Sequence, residues 1–166
     1  MTDSNIKYRM ANDSDIPGMA CLRAEQWGVG TEDFWAERIS GYIRGDVNPQ
    51  QSLAARSIYV AVKDEEVVGF IAGHLTRRFG CDGELQWINV GLEYRGLGIS
   101  SKLFQQLAAW FISQKALYIC VDCAPDNTIG QKFYKRHGAE NLNEHWLIWK
   151  DISVLFTDTK PSVFSK

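Results

Sequence analysis

The sequence has little of what marks a nucleic-acid-binding, membrane-spanning or disulfide-stabilised protein. Its 166 residues include four cysteines, four prolines and three histidines, and 18 Lys and Arg residues stand against 20 Asp and Glu residues. Nucleic-acid-binding domains usually carry a basic face, so neither DNA nor RNA is expected as the main partner. No run approaches the roughly 20 apolar residues that span a bilayer, and no apolar signal-peptide core follows the polar residues 1–5. We therefore expect a cytoplasmic protein without a membrane partner.

The cysteines form neither a disulfide framework nor a zinc-binding pattern. Cys120-Val-Asp-Cys123 has the spacing of a metal or redox pair, but no second Cys pair and no nearby His pair accompanies it. A chain of this size and context does not depend on disulfides. We expect no metal site and interpret Cys120 and Cys123 as small apolar strand residues.

What the sequence does contain is an ordinary globular composition. Hydrophobic residues make up 45% and charged residues 23% of the chain, and 166 residues are enough to bury a core. We predict a single domain over residues 1–156. The last ten residues, 157–166, show no periodicity, as is typical of mobile chain ends.

Hydrophobic periodicity predicts six strands and four helices. The strands cover residues 6–10, 57–62, 67–75, 84–90, 117–121 and 146–152, and the helices cover residues 13–27, 31–45, 99–111 and 127–136. Residues 77–83 are predicted to form a loop, and the first two helices are expected to start at Asp13 or Ser14 and at Thr31. A mostly antiparallel first half followed by a βαβ unit predicts a mixed sheet flanked by helices.

The segment from Val90 to Ser100, VGLEYRGLGIS, has the composition of a phosphate-binding turn. Two glycines permit a sharp turn and leave backbone N–H groups uncovered, and the N-terminus of the following helix favours an anion. Arg95 adds a full positive charge. A Gly-x-Gly between a strand and a helix is also often only a tight turn, and neither a P-loop nor a dinucleotide-binding pattern is present.

The second half of the chain resembles the GNAT N-acetyltransferases. The family's Arg/Gln-x-x-Gly-x-Gly/Ala motif corresponds here to Arg95-Gly-Leu-Gly98-Ile-Ser100, with Ser100 in place of the last Gly or Ala. A second family feature, an Asn followed by Tyr seven residues later, corresponds to Asn127 and Tyr134, with Gly130 where the family usually has Ala. The resemblance implies a twisted, mixed, mostly antiparallel α/β sheet of about six to seven strands flanked by about four helices.

The resemblance also implies acetyl-CoA as cosubstrate and assigns its binding residues. The backbone groups of Ile88, Asn89 and Val90 would pair with the pantetheine arm, and the Val90 N–H would lie near the thioester oxygen. Asn127 is a further cofactor residue, although it could equally cap the helix that follows it. The pyrophosphate would lie on Arg95, Gly96, Leu97, Gly98, Ile99 and Ser100.

Two side chains are candidates for proton transfer. An alkyl amine has a pKa near 10 and arrives mostly protonated, so a carboxylate must accept its proton. Glu84 is our candidate base, on the expectation that it shares strand parity with Ile88 and Val90 unless a bulge intervenes; His74 and Asp122 are the weaker substitutes. Tyr134 would donate a proton to the departing thiolate, with packing against the sheet as its alternative role.

The acceptor is the least determined element. Trp27, Glu32 and Trp35 form an aromatic and acidic segment at the first helix junction, which would suit a cationic amine, although aromatic residues there are also common core residues. A small polyamine or aminoglycoside and a peptide amine both remain open as acceptors, as does a homodimer. The alternative to an N-acetyltransferase is a GNAT-like domain that binds acyl-CoA as a sensor.

Overall fold

A seven-stranded sheet separates two helical layers in a computed structural model, which describes residues 5–156. The strands are β1 (Lys7–Met10), β2 (Ser52–Lys63), β3 (Glu66–Thr76), β4 (Gly83–Val90), β5 (Ile119–Asp122), β6 (Glu140–Asn143) and β7 (Trp146–Trp149). The helices are α1 (Ile16–Trp27), α2 (Glu32–Arg44), α3 (Ile99–Ser113) and α4 (Thr128–Arg136). The expected C-terminal tail, 157–166, lies outside the described residues.

The strand order is β1-β2-β3-β4-β5-β7-β6, and all neighbours are antiparallel except β4 and β5. The parallel pair is joined through α3, as a βαβ unit requires. This topology confirms the predicted mixed, mostly antiparallel sheet. Among the described residues, no helix is both long and apolar enough to cross a membrane.

The prediction missed one strand and misplaced several element boundaries. Strand β6, with the sequence ENLN, was missed because all four residues are exposed at the sheet edge and carry no apolar alternation. The last strand ends at Trp149 rather than at residue 152, since Ile152–Phe156 form a 3₁₀ turn. Strand β2 begins at Ser52, five residues before the predicted start, and the predicted loop 77–83 contains a 3₁₀ turn at Arg78–Gly80.

Each face of the sheet carries its own core. Helix α3 buries an apolar stripe at helical spacing, because Ile99, Leu103, Leu107 and Phe111 are at most 1% exposed. These residues pack on one face, while α1 and α2 cover the other face with a core that includes Met19. Strand side chains alternate between the two faces, so the face on which a β4 side chain lies decides which helices it meets.

The start of α1 differs from the prediction that Asp13 or Ser14 caps it. Asn12 begins a 3₁₀ turn, and its side chain accepts a hydrogen bond from the Ser14 backbone N–H at 3.0 Å. Asp15 completes a capping box by accepting from the Asn12 N–H at 2.8 Å, and it also accepts from Arg9 at 2.7 Å. The hydrogen bond from Arg9, ahead of the opposing effect of burial, holds the pKa of Asp15 below its ordinary value.

Replacing Asp15 by alanine is expected to lower the free energy of unfolding at pH 7 by about 1–2 kcal/mol, chiefly because alanine cannot accept the capping-box hydrogen bond from the Asn12 N–H. The half-exposed Arg9 adds little because solvent screens it. Since the pKa of Asp15 is depressed below 3.8 on folding, its contribution is present above about pH 4 and is lost as the pH falls through the folded-state value. Urea unfolding between pH 2 and 7 measures this, and Asp13→Ala, at an exposed neighbour, is the control. Equal stability of the two variants at pH 7 would refute the prediction.

Candidate active site

A gap in the sheet opens beside the C-terminal half of β4. Strands β4 and β5 pair only from Gly83 to Leu85, opposite residues 119–121. Strand β4 continues to Val90 with β3 on one side, whereas β5 ends at Asp122. Within the described residues, no strand pairs with the other edge of β4 at 86–90, so the backbone there is free to pair with an extended ligand.

A cleft of about 460 Å³ lies at this gap. Five of the predicted site residues line the cleft: Trp27, Glu84, Ile88, Asn127 and Tyr134. The cleft also takes in residues that the sequence did not single out as functional, among them Arg23, Arg38, Tyr42, Arg78 and Trp146. The candidate base and the candidate acid therefore face the same space. No group of three or more His, Cys, Asp or Glu residues suited to a metal ion occurs in residues 5–156.

A bulge in β4 corrects the expected parity of Glu84. Ala72 pairs with Trp87, but the next residue, Gly73, pairs with Leu85, so β4 holds one extra residue at Gln86. The extra residue puts Glu84 on the same face as Trp87 and not on the face of Ile88 and Val90. Glu84 consequently lies on the side of the sheet that α1 and α2 cover, which is the predicted acceptor side.

The Glu84 carboxylate is held by neighbours on that side. Its Oε1 accepts a hydrogen bond from Arg78 Nε at 3.1 Å and lies 3.5 Å from His74 Nε2. His74 is fully buried, and its Nδ1 is 2.9 Å from the Tyr42 hydroxyl. These contacts use Oε1, and within residues 5–156 neither of them involves the second oxygen, Oε2, of this cleft-lining side chain.

The opposite wall of the cleft carries Tyr134 and Asp122. Tyr134 is 7% exposed and meets Trp149 edge to face, with 5.8 Å between ring centroids. Burial, and after it the nearby Cys123, raises the pKa of the Tyr134 phenol well above its ordinary value, so the hydroxyl keeps its proton near neutral pH. Burial, and after it the charge of Glu84, raises the pKa of Asp122. Tyr134 thus packs against Trp149 and lines the cleft, and its role as a proton donor stays a prediction.

Asn127 caps the N-terminus of α4, the alternative role that the sequence left open for it. Its Oδ1 accepts from the Gly130 N–H at 3.0 Å at the start of α4. A Cβ atom at position 130 would lie 2.7 Å from Asn127 Nδ2 and 3.0 Å from Cys123 Sγ. The glycine that departs from the family pattern therefore makes room for the cap. The cofactor-binding role of Asn127 stays a prediction.

The glycine-bearing turn has the open shape that a phosphate group needs. Gly96 and Gly98 both have φ +82°, and a Cβ at either would meet nothing within 4 Å. Arg95 Nε donates to the Val90 carbonyl oxygen at 3.3 Å, which ties the turn to the end of β4. The turn leads directly into α3 at Ile99, whose first-turn N–H groups have no partner within the helix. The turn fits an anionic group, although residues 95–100 lie outside the cleft lining.

The aromatic segment predicted for the acceptor contacts a cation of the chain itself. The Arg23 guanidinium carbon lies 4.3 Å from the Trp35 ring centroid and 5.8 Å from that of Trp27. Trp35 is buried and Trp27 is 62% exposed at the cleft, whereas Glu32 is exposed in the first turn of α2 and outside the cleft lining. The signal for Arg23 was present in the sequence, because it is a charged residue within the apolar stripe of α1.

Solved structures share this architecture. PaiA N-acetyltransferase from Thermoplasma acidophilum, in complex with coenzyme A, is 18% identical with a TM-score of 0.64 over 88% of this chain and 98% of that chain. Ard1 from Thermoplasma volcanium is 19% identical with a TM-score of 0.69 over 89% and 98%. AAC(6′)-Iy, in complex with a bisubstrate analogue, CoA-S-monomethyl-acetylneamine, is 21% identical with a TM-score of 0.68 over 84% and 94%.

These identities are low enough that the similarity establishes the fold alone. The sequence itself gives a further result: the model of the acetyltransferase (GNAT) family matches residues 17–139. No match was found among curated proteins. The matched segment runs from α1 through the split between β4 and β5, the open glycine turn and α4, so it contains every predicted site residue and all of the cleft lining except Trp146. The chain belongs to the acetyltransferase (GNAT) family.

Proposed function

We propose that the protein is an N-acetyltransferase that moves an acetyl group from acetyl-CoA to a primary amine by direct attack in a ternary complex. The observation that carries the proposal is the convergence of Glu84 and Tyr134 on one cleft beside an unpaired edge of β4. Family membership supports acyl transfer, and the coenzyme A complexes of PaiA and AAC(6′)-Iy support the choice of cosubstrate.

The cosubstrate would be held in two places. The free edge of β4 at Ile88, Asn89 and Val90 offers backbone groups to the pantetheine arm, and the turn from Arg95 to Ser100 offers uncovered N–H groups and the start of α3 to the pyrophosphate. Bound acetyl-CoA supplies an acetyl thioester with a tolerable thiolate leaving group. The Val90 N–H would stabilise the oxygen on which negative charge develops.

Proton transfer divides between the two walls. Glu84 accepts a proton from the ammonium form of the acceptor, and the neutral nitrogen then forms the N–C bond while the C–S bond breaks. Arg78 fixes the Glu84 carboxylate through a hydrogen bond to Oε1, His74 Nε2 lies 3.5 Å from the same oxygen, and the buried Tyr42 hydroxyl orients His74. These three residues position the base and need not touch the substrate. Tyr134 donates its proton to the departing sulfur, and it regains a proton as the acetylated nitrogen loses its second one.

Replacing Tyr134 by phenylalanine is expected to lower kcat by about fivefold to tenfold while the Kd for acetyl-CoA changes less than twofold. The effect is modest because a thiol with a pKa near 8.5 already leaves without full protonation. Steady-state thiol release and calorimetry measure the two quantities. Phe133→Leu, at a partly buried neighbour on α4, is the control for disturbed helix packing. A Tyr134→Phe variant with wild-type kcat would remove Tyr134 from the mechanism.

Calorimetric titration of the purified protein with acetyl-CoA tests the proposal directly, with CoA and ADP as controls. Micromolar binding of acetyl-CoA, followed by amine-dependent thiol release, is the expected result. Binding without thiol release for any amine would instead favour a sensor that only binds acyl-CoA. No binding, in protein shown to be free of co-purified CoA, would refute the proposal.

A further inference from the structure

The cleft contains a buried cation without an acidic partner. Arg23 is 7% exposed and lines the cleft. Within residues 5–156, its one hydrogen bond runs from Nη1 to Asn89 Oδ1 at 3.0 Å, its Nε is buried without a partner, and no carboxylate pairs with it. Burial lowers the pKa of Arg23 to about 10, so the guanidinium is still charged at neutral pH. A buried charge without a counter-ion is unfavourable, and a ligand anion would relieve it.

The neighbours of Arg23 hold the guanidinium in place without neutralising it. Trp35, Trp27 and Trp87 surround it, with 4.3, 5.8 and 5.7 Å from its carbon to the ring centroids. Asn89, which accepts its hydrogen bond, donates in turn to Gln26 Oε1 at 2.7 Å. These groups are rings and amides, so the positive charge is retained and fixed in orientation at the cleft.

The other charged residues of the cleft also favour an anionic ligand. Arg78 and Glu84 neutralise each other, which leaves Arg23 and Arg38 against Asp122 among the charged lining residues. Arg38 is exposed, makes no ion pair within the described residues, and lies three positions after Trp35 on α2, so the two side chains share a helix face. The two arginines would repel a polycation. They would attract an acceptor that carries a negative charge of its own.

We propose that the acceptor is an amine that also carries a carboxylate, with Arg23 and Arg38 binding the carboxylate while Glu84 receives the proton of the ammonium group. This inference rests on the proposed N-acetyltransferase function. It disfavours the polyamine and aminoglycoside acceptors that the sequence left open. Arg23 and Arg38 act in binding and specificity, and neither moves a proton.

Thiol release by the wild-type protein at saturating acetyl-CoA tests the inference with matched acceptors. The panel is a set of free amino acids, the carboxamide of each, and spermidine. An amino acid and its carboxamide share the same amine carbon skeleton, and the carboxamide is the less basic amine, so it supplies more neutral nucleophile at pH 7. A higher kcat/KM for the acid therefore reports recognition of the carboxylate. We expect at least a tenfold preference for the acid in the best pair.

Variants locate the preference. Arg38→Ala is expected to raise KM for the best amino acid about fivefold to tenfold and to leave its carboxamide unchanged. Arg44→Ala, on the last turn of the same helix and outside the cleft lining, is the matched control and should behave as wild type. Arg23→Gln should abolish the preference for the acid if the variant folds. If it does not fold, the Arg38 variant and the wild-type comparison still test the inference.

The outcomes separate the inference from the function on which it rests. Equal kcat/KM for acids and carboxamides, or spermidine as the best acceptor, would overturn the inference and leave an N-acetyltransferase. Acetyl-CoA binding without acetylation of any amino acid would also overturn it. Failure of acetyl-CoA to bind would refute the proposed function itself. An acid preference that Arg38→Ala leaves intact would remove Arg38 from the carboxylate site.

Discussion

Replacing Glu84 by glutamine is expected to slow acetyl transfer about a thousandfold at pH 7. Glutamine keeps the shape of the side chain and its contact with Arg78 but cannot accept the proton of an ammonium group. An alkyl amine with a pKa near 10 is free of its proton in only about one molecule in a thousand at pH 7. Without a base, the reaction has to wait for that fraction, and general-base catalysis typically contributes a factor of about 10²–10⁴.

The same reasoning sets the pH dependence of the variant. Its kcat/KM should rise about tenfold for each pH unit between 7 and 9, because the free amine rises by that factor, and the gap to wild type should narrow accordingly. Thiol release from acetyl-CoA, followed across this range, measures both proteins. Since the Glu84 carboxylate is ion-paired with Arg78, thermal unfolding of the variant shows whether any loss of activity is a loss of fold.

Two further variants identify the base. Asp122→Asn neutralises the second carboxylate of the cleft and should cost less than threefold; a larger loss there than at position 84 would make Asp122 the base. Tyr42→Phe removes the hydroxyl that contacts His74 and should lower kcat several-fold without changing the Kd for acetyl-CoA. A Glu84→Gln variant with more than a third of wild-type kcat/KM at pH 7 would refute the assignment.

Much of the fold could be predicted from the sequence because several helices, strands and turns carry a clear signal in their own residues. The α3 stripe of Leu103, Leu107 and Phe111 has helical spacing and is fully buried, and the turn before it depends on Gly96 and Gly98, whose left-handed φ favours glycine. Strand β6 could not be found this way. It owes its existence to pairing with β7, and its own residues carry no periodic apolar signal.

The same distinction applies to the site residues: some are marked by a local sequence pattern, and others depend on tertiary contacts. The spacing of Asn127 and Tyr134 fixes two residues on one short helix, so a sequence motif suffices to find them. The environment of Glu84 depends on a bulge at Gln86, on a partner from β3 and on the turn at Arg78, and no sequence motif marks any of them. The tryptophans at the first helix junction could be recognised as cation-binding groups, but only the packing of α1 against the sheet determines that their cation is Arg23.

The glycine turn gives the second large effect. Replacing Gly98 by leucine is expected to weaken acetyl-CoA and ADP binding by roughly thirtyfold to a hundredfold. The turn has open space at the Cβ position of Gly98, so the new side chain would lie where the pyrophosphate is expected. Loss of one hydrogen bond between a backbone N–H and a charged phosphate oxygen costs about 2–3 kcal/mol, which corresponds to that change in Kd. ADP carries the pyrophosphate without the pantetheine arm, and an equal loss for both ligands would locate the damage at the turn.

Backbone strain has to be separated from this effect, and the chain offers a matched position. Gly45, at the C-terminal end of α2, has φ +83° against +82° for Gly98, and a Cβ at either position meets nothing within 4 Å. Leucine in the left-handed region costs roughly 1–2 kcal/mol at both sites, so Gly45→Leu should lose similar stability and retain wild-type affinity for acetyl-CoA and ADP. If the two variants lose affinity equally, strain explains the loss; if Gly98→Leu binds both ligands as wild type does, the pyrophosphate lies elsewhere.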